Sequence, residues 1–152
     1  MKQFLEVFDK IDIDDSALRN ALESSYVDNI VASDDKTLIN IDFYCDKLIQ
    51  KNDIKKLERQ IKNYYFNRTN LIVKLVVKYD LNGQYTPENF YKAYKDSIEE
   101  EAENYSMVLY VILNNADISF DDNIVKVVIE DTPLYREKQE EVALLQVHLR
   151  YG

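Results

Sequence analysis

The chain lays out the same succession of elements twice, and that repetition narrows its folding choices more than any other feature. From Asp15 the pattern predicts a helix (Ser16 to Ser24), a strand (Tyr26 to Ala32), an acidic turn (Ser33-Asp34-Asp35-Lys36), a strand (Thr37 to Tyr44), a helix (Asp53 to Asn67) and a strand (Asn70 to Tyr79). From Ser106 the order restarts with a helix (Ser106 to Asn115), a strand (Asp117 to Phe120), an acidic turn (Asp121-Asp122-Asn123), a strand (Ile124 to Glu130) and a helix (Pro133 to Tyr151). The sequence then ends at Gly152, where the first copy would start its last strand. The expectation is a segment of a longer protein, with two small α+β domains over 1–80 and 81–152 and the second lacking its final strand.

Periodicity supports each element. In 53–67 the apolar positions Ile54, Leu57, Ile61, Tyr64 and Tyr65 recur at helical spacing, with Asn52 or Asp53 placed to cap the first turn. Leu71, Val73, Leu75 and Val77 alternate with Lys74 and Lys78, the period-2 pattern of a strand with one buried face, although Ile72 and Val76 make its other face partly apolar. Ile39, Ile41 and Phe43 alternate with Asn40, Asp42 and Tyr44 in the same way. Thr86-Pro87 and Thr132-Pro133 each set a capping hydroxyl before a proline suited to the first helical turn. Helical spacing over 87–115 is too long for one ordinary helix, and a break is expected near Asn104 to Ser106.

Charge is unevenly distributed. The whole chain carries 19 basic and 28 acidic side chains, a net charge of -9 that disfavours general nucleic-acid binding. Residues 46–78 reverse the balance, with 9 basic against 3 acidic. The N-terminus has no basic segment leading into an apolar run, and no 18 apolar residues follow one another, so the expectation is a soluble cytoplasmic protein without a membrane span.

The residues offer no catalytic constellation. A nucleophile triad needs a histidine beside serine or cysteine, and the one histidine, His148, falls on the last predicted helix among Leu144, Leu145 and Leu149, a packing environment. The one cysteine, Cys45, excludes an internal disulfide and a thiolate zinc site. Asp14-Asp15, Asp34-Asp35 and Asp121-Asp122 sit at helix starts or turns, where aspartate serves backbone hydrogen bonding. Glycines at 83 and 152 alone leave no phosphate-binding loop. No catalytic residue, metal site or cofactor is expected, and the reading is of a non-enzyme.

If Asp46 to Lys51 forms a short helix ahead of 53–67, the first copy has the order of a type II KH module, and the fold class becomes two KH type II-like α-β-β-α-β units in tandem. A nucleic-acid-binding KH module clamps the backbone with a Gly-x-x-Gly turn between those two helices. Here the turn reads Gln50-Lys51-Asn52-Asp53, without glycine and with a carboxylate that repels phosphate. Lys51, Lys55, Arg59 and Lys62 still form a basic stripe on the second helix, with Phe66 beyond it. A solvated lysine face is the plain reading. The sharper one is a docking surface for an acidic partner helix or for nucleic-acid backbone, with protein favoured because the clamp is missing.

Phe4-Leu5, the helix end Ala21-Leu22-Glu23, the strand pair Ile30-Val31 and Leu38-Ile39-Asn40-Ile41, the Ile54 to Phe66 helix and the strand Leu71 to Val77 together resemble the start of PolC-type DNA polymerase III alpha subunits, the replicative polymerases of Gram-positive bacteria. Asn115-Ala116-Asp117-Ile118, Asn123-Ile124-Val125-Lys126-Val127 and His148-Leu149-Arg150-Tyr151-Gly152 resemble the next segment of the same proteins. The resemblance implies a non-catalytic pair of N-terminal domains. The polymerase carboxylates, proofreading exonuclease, nucleic-acid-binding barrel and phosphoesterase-like domain would lie downstream. It further implies kinship of the first domain with the polymerase-binding domain of the clamp-loader tau subunit, and hence a role in replisome contacts. The leading expectation is a protein-interaction region that docks to tau or another replisome protein. The alternative is a single-strand nucleic-acid-binding module using the basic stripe and nearby aromatics.

Overall fold

The computed structural model describes residues 1–81, 83, 85–121 and 124–138. It divides into two compact units, Met1–Gln84 and Tyr85–Gly152. Both mix helices and strands.

The first unit runs β1 (Lys2–Gln3), α1 (Phe4–Val7), α2 (Ser16–Glu23), β2 (Tyr26–Ala32), β3 (Leu38–Cys45), α3 (Lys51–Tyr65) and β4 (Ile72–Tyr79). Its sheet has the order β1-β2-β3-β4. β2 and β3 form an antiparallel hairpin with a bulge at Asp28, and β4 returns parallel to β3 after the α3 crossover. The alternation read from the sequence becomes a two-sided sheet. Ile39, Ile41 and Phe43 of β3 and Val73 and Leu75 of β4 are buried with Leu22 of α2 and Leu57 and Ile61 of α3. Phe4 of α1 joins them with its ring 4.8 Å from that of Phe43. Each such side chain contributes about 1.5–3 kcal/mol when fully removed from water, enough for one core in a domain this small.

Local chemistry sets the ends of the elements. Asp15 caps α2 by accepting the Leu18 N–H at 2.7 Å. In the hairpin turn, Lys36 adopts φ 55°, a left-handed conformation that a β-carbon disfavours. The Asp35 carboxylate holds the turn by accepting from the Ser33 hydroxyl at 2.5 Å and the Thr37 hydroxyl at 2.8 Å. These bonds pull its carboxyl below the ordinary value of 3.8, the Ser33 bond foremost.

One sequence expectation fails in this unit. Asp46 to Gln50 form no helix, and α3 begins at Lys51 rather than Asp53. The segment is pinned in an irregular conformation that buries Ile49. The Tyr79 hydroxyl accepts from the Ile49 N–H at 3.3 Å and donates to its carbonyl at 3.2 Å, while Asp46 accepts from the Ser24 hydroxyl at 2.6 Å. These contacts take backbone groups that a helical turn would need. The first unit therefore lacks the helix pair expected on either side of Gln50-Lys51-Asn52-Asp53.

The second unit runs α4 (Pro87–Tyr105), α5 (Met107–Asn115), β5 (Asp117–Asp121), β6 (Ile124–Val128) and α6 (Pro133–Glu137). Thr86 and Thr132 cap α4 and α6 ahead of their prolines. The break expected near Asn104 to Ser106 falls at Ser106, whose extended backbone (φ -160°, ψ 126°) ends α4 and whose hydroxyl caps α5 by accepting from the Leu109 N–H. β5 and β6 pair antiparallel, with Ile118 opposite Val127 and Phe120 opposite Val125. The core is Ala102, Leu109, Ile112 and Leu113, against which Ile98, Ile118, Val127 and Tyr135 pack. The expected helix from Pro133 to Tyr151 is described only to Glu137; His148 and its leucine neighbours lie outside the described residues.

Candidate interaction surface

α3 is amphipathic. Leu57 and Ile61 are buried and Ile54 and Tyr65 pack against the core, so the rest of the helix surface is turned toward solvent. Lys51, Lys55, Arg59 and Lys62 fall in one strip on that side at spacings of three or four residues. Lys55 and Arg59 are exposed, and the Arg59 Nε donates to the Lys55 carbonyl at 3.3 Å. Lys51, in the first turn, is half-buried.

The far end of the strip has a different role. The Lys62 ammonium turns back to the helix C-terminus, donating to the Phe66 carbonyl at 2.9 Å, to the Thr69 carbonyl and to the Thr69 hydroxyl at 3.2 Å. It neutralises the negative end of the helix dipole and satisfies a terminal carbonyl. Phe66 is half-buried against the core rather than presented for stacking. The exposed cations that remain in the strip are Lys55 and Arg59, four residues or roughly 6 Å apart along the helix.

Tyr64, expected on the packed face of α3, is instead exposed, because it lies at the far edge of the apolar stripe. Tyr65 is held by its hydroxyl, which donates to Asp9 at 2.8 Å and accepts from the Lys10 N–H at 2.9 Å. Burial raises its pKa above 10.0.

A second surface went unread in the sequence. The helices cover one face of the sheet, and on the other Tyr26 and Tyr44 are direct cross-strand neighbours. Lys78 lies beside Tyr44 in the register, with its ammonium 2.7 Å from Asp28, 3.1 Å from Asp42 and 5.5 Å from the Tyr44 ring centroid. Hydrogen bonds to Asp28 and then Asp42 hold this ammonium well above the ordinary lysine range. The apolar character of Ile72 and Val76 was the available signal, but alternation alone does not reveal whether a sheet's second face is covered.

Among the described residues no group of three or more histidine, cysteine, aspartate or glutamate side chains is arranged to hold a metal, and no helix is long and apolar enough to cross a membrane. Comparison with curated proteins and with solved structures returned no match. A family model described as DNA polymerase III polC-type N-terminus I matches residues 3–75, from β1 through α3 and into β4. Over those residues the first unit of this chain is similar to the N-terminal domains of PolC-type DNA polymerase III.

Proposed function

We propose that this chain is a non-catalytic protein-interaction region at the N-terminus of a replicative DNA polymerase, and that it docks through the outward face of α3 to the clamp-loader tau subunit or another replisome protein. Polymerase and exonuclease chemistry would then reside elsewhere in the parent polymerase, in the cytoplasm where replication takes place. The observation that carries this reading is the outward pair Lys55 and Arg59 on a helix whose opposite side anchors the core. A cation on a rigid helix suits recognition because its position is fixed before the partner arrives. An acidic helix with carboxylates at matching spacing meets this strip directly. The α2-β2-β3-α3-β4 order of the first unit supports reading it as a KH-like scaffold that has neither the helix pair nor the glycine clamp of a nucleic-acid-binding module.

The test is retention of purified tau on the immobilised chain, with K55E/R59E as the comparison. Retention that drops at least about tenfold in the variant supports the reading, since reversing two interfacial charges costs more than 1.4 kcal/mol. Absence of binding by the unmodified chain would sink the tau version. Salt-sensitive binding of a single-stranded oligonucleotide, lost in K55E/R59E, would favour the nucleic-acid alternative instead.

A further inference from the structure

The uncovered face of the first unit's sheet has a composition that specifies what can cover it. Tyr26 (46% exposed), Val31 (49%), Tyr44 (41%), Ile72 (58%) and Val76 (44%) all lie on it. Register fixes their grouping: Tyr26 lies opposite Tyr44, Val31 opposite Asn40, Val76 beside Asp42 and Ile72 beside Leu38. Tyr26, Tyr44 and Val76 adjoin at one end of the face and Val31, Leu38 and Ile72 at the other, with Asn40, Asp42 and Lys74 between them, and exposed apolar clusters of this kind on a small domain offer footholds for a partner.

Charge on the same face selects the occupant. Asp28 and Asp42 share the one ammonium of Lys78, which leaves an excess negative charge beside two tyrosine rings. The other cation on this face, Lys74, lies four residues along β4, roughly 13 Å away, and its nearest acid is Glu58 at 3.8 Å. Nucleic acid and anionic lipid are repelled by the aspartates and find no free row of cations. A wholly apolar partner would bury the under-neutralised carboxylates, which is costly unless a counter-charge comes with it. The partner must bring both apolar surface and a cation.

We propose that the open face of the β2-β3-β4 sheet is a docking surface for an apolar protein segment bearing an arginine or lysine. Its apolar side chains rest on Val31, Ile72 and Val76, and its cation lies against Tyr26 beside Asp28 and Asp42, the Tyr44 ring already facing the Lys78 ammonium. A guanidinium suits the position best, because it stacks on an aromatic ring while its edge donates to a carboxylate. The surface is distinct from the α3 strip and stands whether or not tau binds there.

The probe is a synthetic amphipathic helical peptide with a leucine face and one central arginine, titrated into the isotope-labelled 152-residue chain and followed by amide shifts. Expected are saturable shifts confined to the outward positions of β2, β3 and β4. Affinity should fall about tenfold or more in Val76→Asp and for a peptide with norleucine in place of arginine, the scale of one lost interfacial contact of 1.4 kcal/mol. Asp42→Asn should shrink the preference for the arginine peptide. Circular dichroism checks that each variant is folded. The proposal is overturned by the absence of saturable shifts, by equal affinity for a peptide with glutamate in place of arginine, by shifts that fall on α3, or by displacement of the peptide by a single-stranded oligonucleotide. Concentration-dependent sedimentation abolished by Val76→Asp would equally overturn it, and would make a second copy of the chain the occupant.

Discussion

The Glu58 carboxylate of α3 accepts the backbone N–H of Leu75 on β4 at 2.9 Å. β4 ends the sheet, so this N–H points away from β3 and, among the described residues, has no strand to pair with. A helix side chain thus occupies a hydrogen-bonding position on the edge strand, where free donors invite pairing with other chains. Glu58→Ala should lower the stability of the first unit by ~1 kcal/mol in urea unfolding, with faster amide exchange at Leu75. Unchanged exchange at Leu75 would show that water serves the N–H equally well.

Lys62 and the pair Lys55/Arg59 should separate by assay. Lys62→Ala removes the ammonium from the Phe66 and Thr69 carbonyls and should cost about 1 kcal/mol of stability. Lys55→Ala and Arg59→Ala should each stay within about 0.5 kcal/mol of the unmodified chain, as exposed substitutions do. Thermal or urea unfolding of the three variants decides between these roles.

Ser106 ends one helix and begins the next. Ser106→Ala removes the hydroxyl that accepts from the Leu109 N–H and should destabilise the second unit by roughly 0.5–2 kcal/mol. The readout is the loss of protection at α5 amides, with β2 to β4 amides as the internal reference.

The hairpin turn should respond to acid. Asp35 has its carboxyl below 3.8, so its bonds to Ser33 and Thr37 stabilise the turn fully above that pH and are lost as pH falls through the folded value. Carboxyl-carbon NMR should show Asp35 titrating below 3.8. Thr37→Val should move Asp35 back toward 3.8, and a titration that does not move would remove Thr37 as a cause.

In the same turn, Lys36→Gly relieves a positive φ and should stabilise the hairpin by a few tenths of a kcal/mol, the strain relieved outweighing the added chain entropy of glycine. Hydrogen exchange at β2 and β3 amides measures the change. A decrease in protection would mean that flexibility in the unfolded chain dominates.

What the sequence determined by itself was the order and placement of elements, because those follow from local rules. Apolar spacing placed α3 and β4, Thr86 and Thr132 before proline placed the starts of α4 and α6, and Ser106 broke the long helical stretch. It also indicated the family through short matches across the first unit, and residues 3–75 bear that out. The tertiary structure decided how the same residues are used. Asp46 to Gln50 lost a helix because Tyr79, thirty residues away from Ile49, supplies hydrogen bonds that hold the segment irregular. Lys62 left the basic strip because the chain turns after Phe66 and brings Thr69 within reach of its ammonium. Tyr26, Tyr44 and Val76 became one surface only when three strands separated in sequence took a common register. A local pattern states which side of an element is apolar, whereas the packing of the whole unit determines which apolar side remains uncovered.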